Sequence, residues 1–79
     1  MLNEKHNEEE RFKRIGLNIS LYRKYKNLTQ TELAEAVGIS RTHMSNIEAP
    51  NVVKPMSLEL IFKIADVLGV EVSALFEKV

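Results

Sequence analysis

In the stretch QTELAEAVGISRTHMSNIE, Gln30 to Glu48, two short helical patterns meet at one glycine, Gly38. This feature limits the fold more than any other. Helices so short are marginal in water, so they must be held across the bend by packing against the rest of the chain. Leu33, Ala34 and Val37 recur on one face of the first pattern, and Met44 and Ile47 on one face of the second. A glycine between them ends the first helix in a left-handed conformation at little steric cost. Thr29 stands before Gln30, and Glu32 follows at the spacing of a capping box, in which hydroxyl and carboxylate each satisfy an exposed backbone donor. Ser40 takes the cap position of the second helix. Left facing outward on it are Arg41, Thr42, Ser45 and Asn46, with His43 at the edge. Thr, Ser and Asn are modest helix formers that a purely structural face would not favour.

The flanking segments supply what this pair packs against. From about Glu9 to Lys26, Phe12, Ile15, Ile19 and Tyr22 follow one helical face. Leu17, Leu21 and Tyr25 form a second stripe there, read as a broadened core face, with a subunit interface as the alternative. Residues 1 to 8 are polar and aperiodic, a flexible tail ahead of one domain over 9 to 79. After the pair, APNVVKP carries two prolines and reads as a loop. Ser57 then caps a helix with Leu58, Ile61, Ile64, Ala65 and Leu68 inward and Gly69 at its end, and a short turn from Val72 to Glu77 returns Leu75 and Phe76 to the core. Alternating apolar patterns are absent, so the fold class is all-α, with five helices.

A chain of 79 residues has room for one small domain, which buries only about 60% of its unfolded surface. Without cysteine it has neither disulfides nor thiolate metal sites, which suits a reducing cytoplasm. It carries no signal-peptide pattern and no apolar run long enough to cross a bilayer, so a soluble protein without a membrane partner is expected. The net charge of zero is unevenly spread: residues 11 to 54 hold eight Lys or Arg against three Glu, while both flanks are acidic. The positive charge thus falls on the segment with the outward polar face. Glu8, Glu9 and Glu10 are favourable charge at a helix start.

Two short helices about a tight glycine turn describe a helix-turn-helix, whose second helix lies in the DNA major groove. Ala34 is small because that helix must cross close to the first. Over residues 15 to 76 the sequence resembles the Cro/phage-repressor (Xre-type) helix-turn-helix family, on the strength of LTQTELAEAVGISRTHMSNIE and SLELIFKIADVLGV in that order. The resemblance implies a compact five-helix, lambda-repressor-like domain that binds a double-stranded DNA operator, usually as a homodimer, and regulates transcription.

By that resemblance Arg41, Thr42, Ser45 and Asn46 face the groove, with His43 at its margin. Arg41 suits a guanine edge, Asn46 an adenine, and Thr42 a thymine methyl. Gln30, with Thr29, meets a phosphate at a helix start, where free backbone N–H groups favour anions. Asn51 and Lys54 in the following loop are further phosphate contacts. Arg23 and Glu48 match the family's partly buried ion pair between the first and third helices, and Ala34 and Gly38 its turn. Three departures stand out: Ala49 and Pro50 where a glycine is common, a loop one residue longer, and Glu71 where a serine-like cap precedes the last helix.

Dimer contacts are expected from the C-terminal region, where Val70, Val72, Leu75, Phe76 and Val79 are apolar. A toxin or polymerase partner is compatible with the sequence but not named by it. The alternative is a protein-interaction module or antitoxin-like protein on the same fold. Enzymatic chemistry has no support, since there is no cysteine, no phosphate-binding glycine loop and no motif that places Ser, His and a carboxylate together. His6 and His43 lack companions at metal-ligand spacing, so neither metal nor cofactor is expected.

Overall fold

The computed structural model describes residues 8–78. Residues 1 to 7 of the tail expected over 1 to 8, with His6, and Val79 at the other end lie outside the described residues; Glu8, the last residue of that expected tail, opens the first helix instead. The order is α1 (Glu8–Tyr25), α2 (Gln30–Val37), α3 (Arg41–Glu48), α4 (Leu58–Leu68) and a 3-10 helix (Val72–Phe76). No strand occurs among the described residues, so the class is all-α. Where a fifth helix was expected, the chain makes one tighter 3-10 turn instead. The reason lies at its start: Glu71 makes no side-chain cap, and five residues give too few bonds to propagate an α-helix.

The other helix ends are fixed by sequence. Thr29 accepts from the Glu32 N–H while the Glu32 carboxylate accepts from the Thr29 N–H, a complete capping box. Ser40 accepts from the His43 N–H and Ser57 from the Leu60 N–H. Gly38 ends α2 at φ 82°, and nothing stands within 4 Å of where its β-carbon would be. Its requirement is therefore conformational rather than spatial. α1 ends differently, with Asn27 at φ 61° and the Leu28 N–H donating back to the Arg23 carbonyl. Asparagine is among the few side chains that accept this left-handed geometry.

The core joins Ile15 and Ile19 of α1, Leu33, Ala34 and Val37 of α2, Met44 and Ile47 of α3, Ile61, Ile64, Ala65 and Leu68 of α4, and Leu75. Three expectations about it fail. Phe76, expected to return to the core with Leu75, is 43% exposed, because the last turn of the 3-10 helix carries it past the core that Leu75 fills. Leu17, Leu21 and Tyr25 do not broaden the core face of α1; all three are exposed. The position beside them that does turn inward is polar: Asn18 is buried and donates from Nδ2 to the carbonyls of Leu75 (2.9 Å) and Glu77 (2.7 Å). Its amide takes the carbonyls that end the 3-10 helix and ties that helix to α1. Leu58 also faces solvent, because the core face of α4 begins one turn later, at Ile61. No described helix is long and apolar enough to cross a membrane.

Candidate nucleic-acid interface

α3 is held from two sides, and its remaining face is what the sequence singled out. Met44 and Ile47 are buried against α1 and α2. The α1 side has no room for a side chain at Gly16, where a β-carbon would overlap the Ile47 carbonyl oxygen. Ala34, buried at the crossing of α2 with α3, plays the smaller-residue part on the other side.

At the far end of α3 a hydrogen-bonded clasp joins three segments. Arg23 donates from Nε to one Glu48 oxygen (2.7 Å) and from Nη2 to the other (2.9 Å), while Nη1 donates to the Leu28 carbonyl (2.7 Å). The two side chains are only 10% and 4% exposed, so solvent does little to loosen this fork. Gln30 completes it, donating from Nε2 to the same Glu48 oxygen at 3.1 Å. The side chain expected on a phosphate is therefore engaged inside the protein, and its backbone N–H, at the first position of α2, is what the helix start presents. Thr29 likewise spends its hydroxyl on the cap.

On α3, Arg41 and Thr42 are exposed and His43, Ser45 and Asn46 half-buried. At about 100° per residue, Arg41, Ser45, Thr42 and Asn46 share one side of the helix, and His43 lies at its margin beside Ile47. Among the described residues none of the five side chains is held by a hydrogen bond or ion pair to another segment. Together they offer a guanidinium, two hydroxyls, an imidazole and an amide within about two turns of one helix. Asn51 is exposed and Lys54 half-buried in the loop that follows. Among the described residues no group of His, Cys, Asp or Glu could hold a metal ion.

Sequence reasoning missed Gly16, Asn18 and the Gln30 bond to Glu48. The first two had a signal: a glycine in the middle of a helix costs about 1 kcal/mol and calls for a packing reason, and Asn18 interrupts an apolar row. The third had none, since nothing in a sequence sets which way an amide turns.

The helix-turn-helix family profile matches residues 19–75. The HTH-type transcriptional regulator SinR of Bacillus subtilis (strain 168) is 36% identical over 64 residues, 81% of this chain and 57% of SinR. The immunity repressor protein of Bacillus phage phi105 is 38% identical over 61 residues, 77% of this chain and 41% of the repressor. The chain thus spans about half the length of these relatives. A crystal structure of SinR, the master regulator for biofilm formation, in complex with DNA superposes with a TM-score of 0.72 at 36% identity, covering 80% of this chain and 98% of that one.

Proposed function

This chain belongs to the helix-turn-helix family, and from that premise we propose that it is a sequence-specific double-stranded DNA-binding regulator of transcription. The observation that carries the reading is the outward side of α3, with Arg41, Thr42, Ser45 and Asn46 on one face of a helix clamped from behind by Gly16 and by the Arg23–Glu48–Gln30 clasp. A rigid helix with an unengaged polar face suits the major groove, where each good base pairing is worth about 1–3 kcal/mol of discrimination. SinR, whose DNA complex shares this architecture, supports it.

In this reading residues 41–48 enter the groove, His43 sits at its edge, and the backbone at Thr29 and Gln30 meets a phosphate, as do Asn51 and Lys54. No cofactor, metal or catalytic step is involved, and the place of action is the cytoplasm. Residues 9–79 act as a single DNA-binding domain. The protein works as a homodimer on a two-fold operator, with half-sites about 34 Å apart. Leu75 cannot serve the dimer contact, because it is wholly buried, and Val70 and Val72 are half-buried. Phe76 is exposed and lines a groove with Leu58, which supports a second copy docking at this end of the molecule.

Selection of bound duplexes from a random pool tests the whole reading. The expected outcome is a palindromic consensus whose two halves are one helical turn apart, with affinity falling steeply as salt rises. Failure to enrich any sequence, with a flat salt response, removes DNA binding. An asymmetric consensus keeps DNA binding and removes the dimer.

A further inference from the structure

We propose that the Leu17, Leu21 and Tyr25 face of α1 is a docking surface for an acidic amphipathic helix of another protein. The three side chains are 48%, 44% and 80% exposed, on a helix whose opposite side is buried. They stand four residues apart in a row about 12 Å long, two helical turns. Beside the row runs a shallow trough between α1 and the 3-10 helix, bordered by Ala74 and Glu77. Apolar contacts at this spacing suit a partner helix that presents its own residues at i, i+3, i+4 and i+7.

The charges around the row select the occupant. Lys13 and Arg14 lie one turn before Leu17, Lys24 lies beside Tyr25, and Lys78 borders the trough along the row; Glu10 and Glu77 oppose these four cations. A second copy fits poorly. An antiparallel pairing that sets Leu17 against Leu21 of the other copy brings Lys24 to Arg14, and a parallel one sets each cation against itself across the axis, both repulsive. A helix with carboxylates flanking its apolar row meets the same cations with attraction.

This face is independent of the DNA reading. Gly16 and Arg23, through which α1 meets α3, lie roughly 140–160° around α1 from Leu21, and the row comes nearest the loop after α3 at Leu17, which lines a hollow with Pro50, so an occupant centred on Leu21 and Tyr25 lies away from the outer side of α3.

The test uses two labelled synthetic helices with the same leucine row, one carrying Glu and one Lys at the flanking positions, titrated with the whole protein and followed by fluorescence anisotropy. The Glu helix is expected to bind at least about tenfold more tightly than the Lys helix, and to weaken as salt is raised. Leu21→Ser and Lys24→Glu, both at exposed positions, are each expected to weaken it at least about fivefold, with the melting temperature and circular dichroism unchanged. Equal binding of the two helices, no binding of either, or full binding by Leu21→Ser overturns the proposal. So does sedimentation showing a dimer of the protein alone that Leu21→Ser dissolves, because a second copy then covers the face.

Discussion

The main chain of Gly16 lies so close to the Ile47 carbonyl oxygen that no β-carbon fits between α1 and α3. In an exposed helix, Gly→Ala stabilises by roughly 1 kcal/mol. Here the sign reverses. The neighbouring atom is backbone and cannot rotate away, so Gly16→Ala is expected to destabilise by about 1–3 kcal/mol in urea unfolding. A rise in stability would mean that the two helices separate more readily than their packing suggests.

The ion pair of Arg23 and Glu48 makes a second asymmetric prediction. Removing one partner leaves a charge with almost no access to water, so Arg23→Ala or Glu48→Ala is expected to cost about 3–5 kcal/mol. Replacing both by apolar residues, as in Arg23→Met with Glu48→Leu, is expected to recover most of that loss. The measurement is a double-mutant cycle by chemical denaturation, and additive losses would count against a coupled pair.

How far the sequence reached is clear from this region. The capping box at Thr29 and Glu32, the left-handed Gly38 and the inward Leu33, Ala34, Val37, Met44 and Ile47 all follow from local periodicity and end chemistry, which act within a few residues. The outward side of α3 was legible for the same reason, since it is what remains once the inward positions are assigned. Asn18 was not, because its partners are 57 and 59 residues away in the chain. The exposed Leu17, Leu21 and Tyr25 were misread because apolar spacing on α1 says nothing about which side another element covers. The Gln30 amide turned inward because Glu48 was already fixed there by Arg23, a contact between three segments.

Asn18 yields a prediction of its own. Asn18→Leu keeps the branching and heavy-atom count of the side chain, with bulkier methyl ends, but leaves the Leu75 and Glu77 carbonyls without their donor. The expected cost is about 1–3 kcal/mol. Faster hydrogen exchange confined to residues 72–78 would locate it, and unchanged protection there would show that Asn18 does not hold the 3-10 helix.

At Asn27 the backbone stands at φ 61° without glycine's freedom. Asn27→Val is expected to lose about 1–2 kcal/mol, because a branched side chain is unfavourable in the left-handed region. Asn27→Gly is expected to be neutral or slightly stabilising. Thermal unfolding of the two variants decides it, and equal melting temperatures would place the stability of this turn elsewhere.

On the proposed DNA reading, Arg41 and Lys54 differ in kind. Arg41 sits at the start of α3 on its outward side, where a planar fork can meet a base edge, whereas Lys54 lies half-buried in the loop after α3, where the proposed reading gives it a phosphate. Arg41→Ala should therefore cost about 1–3 kcal/mol on the selected site and relax the preference at one base position of each half-site. Lys54→Ala should weaken all duplexes by a similar factor and lower the slope of log affinity against log salt by about one per protomer. Salt titrations on the selected and a scrambled duplex separate the two. If the Arg41 variant lost affinity equally for both duplexes, its guanidinium would be a phosphate contact, and sequence reading would fall to Thr42, Ser45 and Asn46 on the inner part of the same face.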